Sequence, residues 1–140
     1  MWRAVGLFFC IVASFALTIQ ALAAPSLVGT WFGYGQPDSK DSMYLDHFLA
    51  NGQLHSQFRD CIKGKVLDDS TEDGTWSVKG DILTVKIERH DGIAAPRIDT
   101  YRLTSVTAQR FKDVYIPLNF PFDEMRVEDN FKMPGCQLTS

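Results

Sequence analysis

From Leu27 onward the chain is a succession of short β-branched and aromatic runs, each cut off by turn residues, and no window sustains a helical period. Asn51-Gly52, Gly80-Asp81 and Asp91-Gly92 read as hairpin turns, and Pro37, Pro96, Pro117 and Pro121 as further breaks. Strands are therefore predicted at 27–35, 42–50, 53–61, 74–79, 82–89, 97–105, 110–116 and 123–131. Short strands at regular spacing, joined by tight turns, build an antiparallel sandwich or barrel and not a parallel sheet. The expected fold is all-β, an antiparallel up-and-down β-barrel of about eight strands forming one domain over residues 24–140.

The segment before this domain is of a different kind. Arg3 is followed by an almost continuous apolar run from Leu7 to Ile19, and Ala21-Leu22-Ala23 precedes Ala24-Pro25. A charged start, an apolar middle and a small-residue end describe a secretory signal peptide over 1–23, cut after Ala23 or Ala24. An uncleaved anchor is the competing reading, since Ala4 to Ala24 is just long enough to span a bilayer. With the signal removed, no membrane span is expected and the protein is periplasmic or secreted. Loss of Arg3 takes the net charge from −3 to −4, which excludes a basic surface for nucleic acid. Cys10 leaves with the signal; Cys61 and Cys136 remain as an even pair in an oxidising compartment. One disulfide between them is expected, with two reduced structural thiols as the alternative.

A two-residue turn at Asn51-Gly52 would set Met43, Leu45, His47 and Leu49 on one face with Leu54, Ser56, Phe58 and Asp60. The opposite face would collect Tyr44, Asp46, Phe48, His55, Gln57 and Arg59, which is more polar, so the first face is expected to point inward. In the next hairpin Trp76, Val78, Leu83, Val85 and Ile87 are expected inside. His47 would then lie opposite Ser56 on an apolar interior. Such polar groups satisfy one another, meet a water, or line a ligand cavity.

The remaining motifs carry less. Asp69, Thr71, Asp73 and Gly74 match the first half of a calcium loop, but position twelve is Gly80 where a bidentate Glu is required, so 68–74 reads as a solvated acidic loop. Asp123-Glu124 and Glu128-Asp129 read as exposed flanks of the last strand, and Phe120-Pro121-Phe122 as a loop. Arg59, Lys63 and Lys65 form a basic patch too small for nucleic acid. No second histidine falls at ligand spacing beside His47, so no metal is expected, and no cofactor. Nucleophile elbows, zinc-protease motifs and phosphate-cradling loops do not occur, so no enzyme is expected.

Gly29-Thr30-Trp31 resembles the Gly-x-Trp that opens lipocalins and the wider calycin group, and Cys136 is similar to the tail cysteine that many lipocalins bridge to the barrel wall. Gly74 to Val85 and Tyr101 to Val106 look like stretches of small secreted bacterial proteins with a lipocalin-like domain. The resemblance implies that Arg126 packs on Trp31 as a structural pair at one barrel end. It further implies a barrel that binds a small hydrophobic or amphipathic molecule inside, with Leu45, His47, Ser56, Phe58 and Trp76 as the expected lining. The alternative is a protein-binding module whose loops contact a protein partner, as in periplasmic lysozyme inhibitors, which are also disulfide-tied antiparallel barrels.

Overall fold

The computed structural model describes residues 26–36 and 39–137. The signal-peptide reading of residues 1–23 lies outside them. Eight strands follow one another as β1 (Gly29–Gln36), β2 (Ser39–Phe48), β3 (Gln53–Ile62), β4 (Lys65–Lys79), β5 (Ile82–His90), β6 (Ile93–Val106), β7 (Arg110–Tyr115) and β8 (Phe120–Val127). Each pairs antiparallel with the next, and β8 returns to β1, so the sheet closes into an up-and-down barrel without edges.

Turn chemistry sets the joints. Lys63-Gly64 and Asp91-Gly92 both have positive φ, as a type I′ turn demands, and they link Ile62 to Lys65 and His90 to Ile93. The β2–β3 joint departs from the two-residue expectation. Phe48 pairs with Leu54, the Leu49 amide donates to the Gln53 carbonyl at 2.9 Å, and only Gly52 has positive φ. Gly52 thus serves as the left-handed residue closing a three-residue loop. The register moves by one residue, and every β2 side chain changes face. Tyr44, Asp46 and Phe48 point into the barrel opposite Phe58, Ser56 and Leu54, while Met43, Leu45 and His47 point outward.

Outward Met43 and Leu45 are nonetheless buried, because residues after β8 fold back over them. Phe131 and Met133 pack on Phe32, Met43 and Leu45, and a Cys61–Cys136 disulfide fastens the tail to β3. Asp129 accepts from Thr30 Oγ1 at 2.8 Å, and Arg59 Nη1 donates to the Pro134 carbonyl at 3.1 Å. A second small apolar layer on the outside therefore explains residues that look like barrel core in the sequence.

The acidic stretch 68–73 is not a loop but part of β4. Its carboxylates face cross-strand partners: Asp69 accepts two bonds from Arg59 at 2.6 and 2.8 Å, and Asp73 lies 2.8 Å from His55. Phe120-Pro121-Phe122 likewise opens β8, with Pro121 opposite Val114. Asp60 is exposed rather than interior, and Val78 is 40% exposed near the β4–β5 turn.

One barrel end is filled by Leu27, Trp31, Phe48, Leu54, Leu83 and Phe111. Trp31 is fully buried; its indole N–H donates to the Leu27 carbonyl at 2.7 Å, and Phe111 meets it edge-on at 4.8 Å. The Arg126 guanidinium lies 4.1 Å from the Trp31 ring centroid and donates to the carbonyls of Ala108, Val28 and Ser26. Gly29 leaves the space that this guanidinium occupies, since a Cβ there would overlap Arg126.

Candidate functional site

Beyond the Trp31 plug the barrel encloses a cavity of about 130 Å³. Phe48, Leu54, Leu83, Val85 and Ile87 form an apolar wall next to the plug. The rest of the lining is acidic and aromatic: Asp46, Glu72, Asp99, Asp113 and Glu124 share it with Tyr44, Tyr101 and Phe122, and Arg97 is the cation among them.

Strand alternation puts these groups there. Trp31 pairs with Asp46 and Arg126, so the inward parity of β1 passes to Asp46 on β2 and to Glu124, two residues from Arg126, on β8. Gly33 lies between Tyr44 on one side and Glu124 on the other, and a Cβ at Gly33 would overlap the Tyr44 hydroxyl. Asp113 pairs with Phe122, the inward neighbour of Glu124. Asp123, by contrast, points out to Arg110.

The five carboxylates divide into two groups by their partners. Arg97 donates twice to Glu72, each at 2.6 Å, and to Asp99 at 2.8 Å; the Tyr115 hydroxyl adds a bond to Asp99 at 3.2 Å, and His90 Nδ1 lies 3.2 Å from Glu72. This half is a compensated ion network. The other half is not. Asp46 accepts from the Ser56 hydroxyl, but Asp113 and Glu124, only 3% and 4% exposed, are acted on by neighbouring carboxylates and by no cation among the described residues. Among the described residues, the buried side-chain atoms without a hydrogen-bond partner are Tyr44 Oη, Asp113 Oδ1 and Glu124 Oε2. All three belong to residues lining this cavity.

Electrostatics follow from that imbalance. Burial, opposed by the Ser56 bond, pushes the Asp46 carboxyl up to about 6. Burial and then the charge of Asp46 push Asp113 up to about 7. Glu124 is raised well above the usual carboxylate range by burial, with Asp46 and Asp113 adding to it. Tyr44 and Tyr101 are raised by burial and then by nearby carboxylates, Glu124 foremost for Tyr44 and Asp99 for Tyr101, while the approach of the Tyr44 hydroxyl opposes the rise of Glu124.

Of the lining expected from sequence, Ser56 and Phe58 are on the cavity wall. Leu45 and His47 are outside it, because of the one-residue register change; Leu45 packs under the tail and His47 Nε2 lies 3.4 Å from Asp129. Trp76 faces inward, but its ring covers Phe48 at 5.2 Å and its N–H donates to the Leu49 carbonyl, which places it in the plug. Asp46, expected on the outward face, and Glu124, expected as an exposed strand flank, are both on the cavity wall, Glu124 because alternation along β8 turns it inward, and Asp113 was not singled out in the sequence. The signal that finds Glu124 is its parity with Arg126: if Arg126 covers Trp31, the residue two before it also faces inward.

Comparison with known proteins gives no match to a family model and none to a curated protein. Fold and site together define a closed eight-stranded antiparallel barrel with one apolar end and an acidic, aromatic cavity.

Proposed function

We propose that the protein is an exported, lipocalin-like binding barrel that holds a small amphipathic molecule in its interior. The observation that carries this reading is the two-sided cavity, apolar toward Phe48, Leu54, Leu83 and Val85 and polar toward Asp46, Asp113 and Glu124. Buried carboxylate oxygens without donors are costly in an empty barrel, and a bound molecule with a polar head removes that cost. At about 130 Å³ the cavity is close to the roughly 150 Å³ in which an apolar cavity accepts benzene, a size suited to one small ring or a short chain. Export is supported by the 1–23 segment and by the Cys61–Cys136 disulfide. Among the described residues, no helix is long and apolar enough to cross a membrane.

The test is calorimetric titration of the purified protein with small neutral, cationic and anionic single-ring compounds. Saturable 1:1 binding by any class, lost when Val85→Trp fills the apolar wall, is the expected result. Absence of binding in all three classes overturns the reading. Export is checked by mass spectrometry of the periplasmic and secreted fractions, where the chain is expected to begin at Ala24 or Pro25.

A second reading, a protein-binding module of the lysozyme-inhibitor kind, is favoured by one observation. Ile62, Leu67, Ile93 and Leu118 are exposed, and the β3–β4, β5–β6 and β7–β8 connections bring them to the end opposite Trp31. A lysozyme turbidity assay decides it: undiminished lysis at a tenfold excess of the protein removes this reading.

A further inference from the structure

Resting on the interior-binding reading and deepening it, we propose that the cavity selects small organic cations, an ammonium group donating to Asp113 and Glu124 while its hydrocarbon part packs on Leu54, Leu83, Val85 and Ile87. Three independent observations converge on a cation. First, the unpartnered buried atoms Tyr44 Oη, Asp113 Oδ1 and Glu124 Oε2 include both carboxylate oxygens as pure acceptors when ionised, and an ammonium supplies three donors. Second, Arg97, the cation on the cavity wall, is engaged by Glu72 and Asp99, so the charge of Asp46, Asp113 and Glu124 is left over. Third, the same region is walled by aromatic faces and edges: Phe122 meets Tyr44 at 5.7 Å and Tyr101 at 6.2 Å between ring centroids. Aromatic rings beside carboxylates form the kind of cage in which a desolvated ammonium is stabilised.

The chemistry also discriminates against other occupants. An anionic ligand such as a fatty acid would set its own carboxylate against Asp46, Asp113 and Glu124 in a low-dielectric interior, which is strongly unfavourable. A neutral alcohol supplies one donor where an ammonium supplies three, and it brings no charge to the cluster. Among the described residues, no three His, Cys, Asp or Glu side chains converge as a metal site, which favours an organic cation over an ion held by ligand geometry.

Cation binding and deprotonation of the cluster are linked. The charged and titratable groups around Asp113 and Glu124 are Tyr44 and Asp46 on β2, Glu72 on β4, Arg97, Asp99 and Tyr101 on β6, Tyr115 on β7 and Asp123 on β8, and His55 on β3 acts on Asp46. Because burial and mutual repulsion hold protons on Asp46, Asp113 and Glu124, an incoming ammonium releases them, and affinity rises with pH.

The experiment uses benzylamine, benzyl alcohol and benzoate, three single-ring probes alike in shape and different in charge. Binding is read by the NMR shifts of the Leu54, Leu83, Val85 and Ile87 methyl groups and by calorimetry at pH 5.5 and 8. Expected are benzylamine binding on the order of tenfold tighter than benzyl alcohol, no binding of benzoate, tighter benzylamine binding at pH 8, and proton release in buffers of different ionisation enthalpy. Asp113→Asn and Glu124→Gln, which keep the shape, should each weaken benzylamine by on the order of tenfold and weaken benzyl alcohol by clearly less, since only the ammonium loses a charge partner. Benzyl alcohol binding as tightly as benzylamine overturns the cation proposal while the interior-binding reading stands. Silence from all three probes overturns both. Benzylamine shifts confined to the outer surface overturn the cation site as well.

Discussion

Asp113 and Glu124 are where the fold departs most from what stability alone would select, because each is buried without a counter-charge among the described residues. The sign of their effect on folding is fixed by linkage. The folded state holds protons on Asp46 up to about 6 and on Asp113 up to about 7, whereas the unfolded chain releases them near the ordinary value of 3.8. Between those limits the folded state binds more protons, so stability is full below the unfolded value and is lost as pH rises through the folded one. Each proton separating the states is worth about 1.4 kcal/mol per pH unit. The ligand-free protein is therefore expected to melt at a lower temperature at pH 8 than at pH 5, and Asp113→Asn to flatten that slope; a melting temperature that rises from pH 5 to 8 contradicts this. Below about pH 4 the surface carboxylates held down by Arg59, Arg110 and Thr30 with His47, namely Asp69, the half-buried Asp123 and Asp129, add a slope of opposite sign. Arg126 is the residue-scale counterpart on the structural side. It lies over Trp31 and donates to three carbonyls, so Arg126→Ala should cost about 2 to 4 kcal/mol in urea unfolding, and Arg126→Lys most of that, since an ammonium cannot reach all three.

At the scale of elements, the strand pattern was legible and the parity of one strand was not. Eight strands, their order, and the turns at Gly80-Asp81 and Asp91-Gly92 follow from short apolar runs and turn residues. The β2 face did not, because Met43 and Leu45 are apolar for the sake of the tail, and a loop one residue longer than expected reverses the whole strand. The acidic half of β4 was hidden for a similar reason: Asp69 and Asp73 are poor strand formers held by Arg59 and His55, partners visible only once strands are paired. So the plug, with Trp31, Phe111 and Arg126, was partly readable, whereas the acid cluster depends on parity across three strands. The tail predicts its own test. It covers Phe32, Met43 and Leu45, and its disulfide spans 75 residues, so reduction should lower stability by about 4 kcal/mol on the chain-entropy account. Reduced protein is also expected to bind an apolar dye on the bared β1–β2 face; unchanged melting and no dye binding on reduction would show the strap to be dispensable. The β4–β5 bulge sets a sharper limit, because a Cβ at Gly74 would run into the Lys86 backbone.

For the molecule as a whole, closure by hydrogen bonds around the barrel and closure of one end by the Trp31 plug leave the interior beyond it free to be something other than core. A barrel of this size could be filled entirely by apolar side chains. Here five of the sixteen residues on the cavity wall are instead carboxylates, and three of them, Asp46, Asp113 and Glu124, repel one another outside the Arg97 network, which is the arrangement expected when stability is traded for recognition. Replacing both unpartnered carboxylates by leucine should expose that trade. Asp113→Leu with Glu124→Leu removes two buried ionisable groups and adds apolar contacts beside Phe122 and Leu83, so unfolding at pH 8 should require about 2 kcal/mol more than in the parent chain. The same change leaves an ammonium with neither acceptor, so benzylamine binding should disappear while benzyl alcohol continues to bind. The two readouts move in opposite directions only if the carboxylates are there for a ligand. A double variant that is both less stable and unaltered in benzylamine affinity would instead make Asp113 and Glu124 parts of the fold, held by the barrel for its own packing.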